Sequence, residues 1–254
     1  MRGEGFEQDG CSPTGTAPVP VGECTLEAGR ETLFRGRNSQ GKERSRGPVT
    51  LSHTVPLRAA DGHFVEAVLY ERIDTEYAQQ ADTDWRAYLA VEKARAMTEG
   101  REIPRFEHSH WEWEAKVKAS AHLLSFPTLA IECAGQTQGL MLLQTDGYFC
   151  RLPSDTGKPM VYVVYLATAP WNLRALIGHP RYAGVGFVFL HAAIQMSIDN
   201  GFKGRIGLHS LPQAEAFYEK HGFLCLGADP EKEGLKYYEL TPQAAHEFII
   251  GSTS

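Results

Sequence analysis

Apolar residues come singly over residues 1–47, where Gly, Pro, Ser, Thr and charged side chains dominate, and become periodic only after that. So few apolar side chains cannot offset the entropy of ordering a segment, so 1–47 is expected to be a disordered tail. Residues 49–57 are β-like. A helical run is expected over 63–80, with Asp61 or the residue after it as N-cap. A second helical stretch, 84–97, carries Trp85, Tyr88, Leu89 and Val91 at mixed helical spacing. Gly100 and Pro104 interrupt it, and a third helix, 108–124, ends before Pro127.

The period then changes from helix to strand. Residues 128–133 and 138–144 read as strands around the turn 134–137, a hairpin pattern. Residues 160–168 form the most β-branched and aromatic run of the chain. A helix over 187–200 is closed by Gly201. A strand at 205–209 leads to a helix at 211–221, with Ser210 and Gln213 spaced as a capping box and Pro212 in the first turn. Strands at 224–227 and 235–240 finish the series. The order β, several α, β-β-β, α, β, α, β-β describes a mixed α/β domain over 48–245, followed by a C-terminal tail, 246–254.

Composition narrows the function classes only modestly. Of 254 residues, 43% are hydrophobic and 10% aromatic, enough for a substantial core in one large domain. A net charge of -6 gives no general case for nucleic acid or a membrane surface. The five cysteines (Cys11, Cys24, Cys133, Cys150, Cys225) lack a C-x-x-C pair and are odd in number, which reads as reduced thiols in a cytoplasmic protein. No apolar run nears bilayer-spanning length, and residues 1–20 lack the basic start and apolar centre of a signal peptide.

The chemistry concentrates at Arg181-Tyr182-Ala183-Gly184-Val185-Gly186, between the strand 160–168 and the helix that opens at Phe187. A glycine-bearing turn that opens a helix leaves several backbone N–H groups without intrahelical partners, with the positive end of the dipole behind them. Such a turn suits phosphate or pyrophosphate. Gly184 and Gly186 are expected to let ligand oxygens approach the backbone.

Together, Arg181-x-x-Gly184-x-Gly186 and Phe217-Tyr218-Glu219-Lys220-His221-Gly222-Phe223 resemble two motifs of the GNAT superfamily of acyl-CoA-dependent N-acyltransferases, across roughly residues 49–240. The resemblance implies a splayed central sheet with flanking helices and acetyl-CoA as donor, with a small-molecule or peptide amine as acceptor. Backbone N–H groups of Tyr182, Ala183, Gly184, Val185 and Gly186 would hold the CoA pyrophosphate. The strand backbone at Leu166, Ala167 and Thr168 would bind the pantetheine arm and the oxyanion. Tyr218 matches the family tyrosine that protonates the leaving thiolate; its other reading is a core aromatic on the stripe of Ala214, Phe217 and His221.

The sequence departs from the family pattern in three places. Residues 160–168 hold no carboxylate to act as base; His209, with its near-neutral titration, is the substitute by position, or else a structural histidine. Ser210-Leu211-Pro212 replaces an expected asparagine. The connection 169–180 is long, and its Trp171 and Asn172, with Arg174, either shape the acceptor site or pack as a surface loop. The missing carboxylate and asparagine leave open a non-catalytic acyl-CoA-binding module.

No metal is expected. His108 and His110 lie two residues apart, on different faces of a helix, and no His/Cys cluster completes a site. The basic segment 30–46 raises nucleic-acid contact as a distant alternative to a solvated tail. The helical region 64–124 is read as acceptor wall or homodimer interface. Glu66, Asp74, Glu76, Asp82 and Asp84 are candidates to receive a cationic amine, or form a solvated face.

Overall fold

The computed structural model describes residues 51–102 and 111–251. Its first half contains β1 (Leu51–Ala59), β2 (Phe64–Glu71), α1 (Thr75–Thr98), α2 (Trp113–Ser120), β3 (Thr128–Cys133), β4 (Gln136–Gln144) and β5 (Val161–Thr168). Then follow α3 (Arg174–Ile177), β6 (Tyr182–Ala183), α4 (Val185–Asp199), β7 (Ile206–Ser210), α5 (Glu215–Lys220), β8 (Leu224–Ala228), β9 (Lys236–Leu240) and α6 (Pro242–Gly251). The strands form one mixed sheet in the order β6-β1-β2-β3-β4-β5-β7-β9-β8. Every neighbouring pair is antiparallel except β5–β7. The fold is the mixed α/β class that the element order predicts.

The helix expected over 63–80 is instead a strand followed by the start of a helix. Asp61-Gly62 closes a hairpin: the Asp61 carboxylate accepts the His63 N–H at 3.0 Å, and Gly62 takes a φ of +91°. Ala67 and Leu69 of β2 then alternate into the core, a period of two that the local composition hides. The helix begins after Asp74, whose side chain accepts the Tyr77 N–H at 2.8 Å, and runs unbroken to Thr98. The third expected helix shrinks to Trp113–Ser120, and its first turn is capped across helices, the Glu114 N–H donating to Asp82 at 3.0 Å.

Two helical layers flank the sheet. Phe189, Leu190 and Ile194 of α4, with Tyr218 and Phe248, pack on Val161, Val163, Ile206 and Leu208. On the other face Ala78, Ala81 and Trp85 of α1 and Trp113 of α2 cover Leu140 and Ala167. A third cluster, Cys150, Met160, Tyr162 and Tyr237, continues that second face beyond the helices, since Met160 and Tyr162 alternate with Val161 and Val163. α6 falls where the sequence suggested a C-terminal tail; its Phe248 stacks on Phe187 at 4.5 Å.

Local closures follow from single residues. Gly201, at φ +77°, ends α4 as expected, with Phe202 N–H donating to Ser197 O at 2.7 Å and Gly201 N–H to Ile198 O at 2.8 Å. The expected capping box does not form. The Ser210 hydroxyl donates to Leu211 O at 2.9 Å, and a 3₁₀ turn, Pro212–Ala214, precedes α5. Cys133, Cys150 and Cys225 are free thiols. Among the described residues no helix is long and apolar enough to cross a membrane, and no group of three or more His, Cys, Asp and Glu is placed to hold a metal ion. His108, His110 and the basic segment 30–46 lie outside the described residues.

Gly139 on β4 fixes where α4 sits. A Cβ there would stand 2.6 Å from Val185 Cγ1 and 2.7 Å from Phe189 Cε2. Gly139→Ala is expected to destabilise the fold by roughly 1–3 kcal/mol, as overpacking of a filled core does. Urea denaturation of the variant measures it.

Candidate functional site

The parallel pair β5–β7 is joined only at Val161↔Ile206, Tyr162↔Gly207 and Val163↔Leu208. Beyond Val163 the two strands part. The cause is on the opposite edge of β5, where Leu142 pairs with Tyr165 but Leu143 pairs with Val163, so Val164 is an extra residue that kinks the strand. Residues 164–168 therefore keep β4 on one side and face an open gap on the other. The Ala169 N–H donates to Gln138 O at 2.9 Å, so the antiparallel alternation sends the Ala167 N–H to β4 as well. The N–H groups of Leu166 and Thr168 face the gap. Of the three residues expected to bind pantetheine, these two have the matching orientation and Ala167 does not.

Gly139 of β4 lies under the first turn of α4, where an added Cβ would stand 2.6 Å from Val185 Cγ1. Gly184 is the N-cap, with φ +95°, and no side chain caps the helix. The first intrahelical bond runs from Val188 N–H to Gly184 O at 2.9 Å, leaving the amides of Val185, Gly186 and Phe187 without helical acceptors. Both glycines also meet local constraints of the fold. Gly184 supplies the left-handed backbone, and a Cβ on Gly186 would stand 3.1 Å from Phe217 Cζ.

The preceding segment is more occupied than the sequence suggests. The Tyr182 N–H donates to Asn172 Oδ1 at 2.9 Å and the Arg181 N–H to Trp171 O at 3.0 Å. Tyr182–Ala183 pairs with Arg58 and Ala59 of β1. The Arg181 guanidinium lies 5.3 Å from the ring centroids of both Tyr88 and Trp171 and bonds Gln136 Oε1 at 3.2 Å. Trp171, read either as shaping the acceptor site or as packing on the domain, is only 2% exposed, and its indole N–H donates to Gln138 Oε1 at 2.8 Å. Asn172 Nδ2 donates to the same oxygen at 3.0 Å. Gln138, unmarked in the sequence reading, thus anchors both; Trp171 and Asn172 brace the turn rather than present a surface.

His209 stands one residue past the last β5–β7 pair, and its side chain is 5% exposed. Nδ1 lies 2.6 Å from the Tyr162 hydroxyl and Nε2 lies 3.0 Å from Asp229 Oδ2. The Arg151 guanidinium donates to that same carboxylate oxygen at 2.8 Å. That hydrogen bond, followed by the one from His209, holds the Asp229 carboxyl down to about 2, so it is ionised at neutral pH. An ionised Asp229 requires the proton on Nε2, and Nδ1 then accepts from Tyr162; this assignment follows from the network. Burial pulls the His209 pKa below its usual range, against the opposing pull of Asp229. Burial likewise raises the Tyr162 phenol, whose ring stacks on Tyr148 at 3.9 Å.

Sequence reasoning reached His209 but none of its three partners. Tyr162 was recoverable, because strand parity places it on the same face as Met160. Asp229 and Arg151 come from loops, where parity says nothing. Tyr218 on α5 is 7% exposed, packed among Phe217, Phe223 and Tyr238, and burial alone raises its pKa. The acidic residues offered for a cationic amine include two with structural roles: Asp74 caps α1 and Asp82 caps α2.

Along the β5 bulge on the α2 side runs an open groove of about 640 Å³, lined by Trp111, Lys116, Phe126, Leu142, Val164 and Tyr165, with Glu112 at its rim.

No protein-family model and no curated protein matches the chain. Among solved structures, an acetyltransferase from Thermus thermophilus is 14% identical, covering 68% of this chain and 96% of that one, with a TM-score of 0.39. The PaiA N-acetyltransferase from Thermoplasma acidophilum in complex with coenzyme A is 16% identical over 67% and 97% of the two chains, with a TM-score of 0.40. An uncharacterized protein from Bacillus halodurans is 8% identical over 77% and 93%, with a TM-score of 0.49. These are likenesses of low identity, each with a TM-score below 0.5.

Proposed function

We propose that the protein is an acyl-CoA-dependent N-acyltransferase that uses acetyl-CoA and a primary amine. The observation that carries the reading is the parting of β5 from β7 after Val163, and α4, further along the chain, has an N-terminus that no side chain caps. A gap edged by the N–H groups of Leu166 and Thr168 suits an extended diamide arm, and the amides of Val185 to Phe187 suit a pyrophosphate.

In this reading the amine nitrogen attacks the thioester carbonyl carbon, forming the N–C bond while the carbonyl electrons move to oxygen. A strand N–H, from Leu166 or Thr168, stabilises that oxyanion. The proton lost by the amine passes to the Tyr162–His209–Asp229 chain, with His209 as the base that accumulates it and releases it to solvent. Collapse breaks the C–S bond, and Tyr218 protonates the departing thiolate, regaining its proton from water. The Tyr218 phenol is protonated at neutral pH, as an acid must be, and its burial, which raises its pKa, makes the donation depend on the thiolate being held against it.

Incubation of the full chain with acetyl-CoA and a panel of amines, following free thiol, tests the proposal. Amine-dependent thiol release is expected, without an acyl-enzyme in the mass spectrum. Tight CoA binding with no release for any amine would identify a binding module instead. Tyr218→Phe is expected to lower turnover roughly 10²-fold, within the range for losing a positioned acid; unchanged turnover across pH removes that role.

A further inference from the structure

The groove beside the β5 bulge has a cation in an apolar wall. Lys116 Nζ lies 3.5 Å from the Tyr165 ring centroid and 5.1 Å from that of Trp111. Among the described residues no carboxylate stands within ion-pair distance of it. Asp82, the acidic group whose field reaches it, is committed to the Glu114 N–H at 3.0 Å and to Arg86 at 3.9 Å. Glu112, at the groove rim, stands 3.4 Å from Arg86. Among the described residues the ammonium's close contacts are thus π faces, while burial penalises its charge.

The groove also adjoins the reacting region of the proposed function. Val164 and Tyr165 line it, and they begin the stretch of β5 that faces the gap. Val164 also packs against the cluster containing Tyr162. Its volume of about 640 Å³ suits a small molecule.

Resting on the acyltransferase reading, we infer that this groove is the acceptor subsite and that it selects amines carrying a carboxylate and an apolar or aromatic body. The carboxylate meets the Lys116 ammonium in a charge-assisted bond, and the body lies against Trp111, Phe126 and Leu142. A polycationic acceptor is excluded, because its second charge would approach an ammonium already seated on the Tyr165 ring.

Calorimetry on the full chain, with 3-phenylpropanoate, 3-phenylpropanamide and 3-phenylpropylamine as probes, tests this. The carboxylate is expected to bind, and the amide and amine to bind at least tenfold more weakly. Lys116→Met should weaken the carboxylate roughly tenfold to a hundredfold, the worth of one charged hydrogen bond. Lys116→Arg should retain it within a few-fold, and both variants should melt like the parent. Equal affinities for the three probes, no binding of the carboxylate, or an unchanged affinity in Lys116→Met overturns the inference. CoA titrated separately reports on the acyltransferase reading, so the two failures are distinguishable: CoA binding and amine acylation with no carboxylate preference rejects only the subsite.

Discussion

His209→Gln is expected to lower kcat for acyl transfer by roughly 10²- to 10⁴-fold, the usual worth of a positioned base. Glutamine fills similar space and can still bond Tyr162 or Asp229, so the loss reports on proton transfer more than on packing. The pH profile gives a second readout. The neutral imidazole is the active form, and burial of His209 disfavours its cation, so the acid limb of kcat/KM should fall below the ordinary histidine value of about 6.5. Asp229 is ionised well below that limb, being held at about 2 by Arg151 and His209. Its contribution to stability is therefore complete above the unfolded carboxyl range and lost only as pH falls toward the folded value. Asp229→Asn should cut the rate by freeing the other histidine tautomer, and should move the acid limb further down by removing the pull toward imidazolium. Tyr162→Phe should lower kcat while leaving KM for acetyl-CoA near its parent value. If His209→Gln loses thermal stability but keeps its rate within a few-fold, the four residues are a brace between β5, β7 and the two loops.

Much of the fold was legible because the local signals agree with the tertiary ones. The strand at 161–168, the glycine-closed helix after it and the hairpin at 133–136 each carry period and turn chemistry pointing one way. The failure at 63–80 has a definite cause: Asp61-Gly62 serves a hairpin turn as well as a helix start, and only pairing with β1 decides between them. Gly184 does open a helix, and Gly186 also lies against Phe217, a contact made by a residue 31 positions away. For Trp171 the sequence left an acceptor-site role and packing on the domain open, because its partner, Gln138, is on a strand that a one-dimensional reading cannot bring next to it. Single residues were legible; their partners, set by topology, were not.

The glycine turn carries the second large effect. Gly186→Val is expected to weaken CoA binding roughly tenfold to a hundredfold, the worth of one N–H bond to a charged oxygen. The Cβ alone would stand 3.1 Å from Phe217 Cζ, and valine adds two methyl groups, so either Phe217 or the first turn of α4 must shift. A shift of that turn turns the amides of Val185 to Phe187 away from their common focus. Gly184 gives a contrasting series, because nothing stands within 4 Å of its added Cβ and only its φ of +95° constrains it. Asparagine tolerates the left-handed region better than β-branched residues, so Gly184→Asn should bind CoA far better than Gly184→Val. Pantetheine, which lacks the pyrophosphate, should bind parent and Gly186→Val alike, since its amides belong to the strand gap. Raising ionic strength should weaken CoA in the parent more than pantetheine. Calorimetry with both ligands measures all of these, and CoA binding of parental strength in a folded Gly186→Val protein would exclude the α4 N-terminus as the phosphate site.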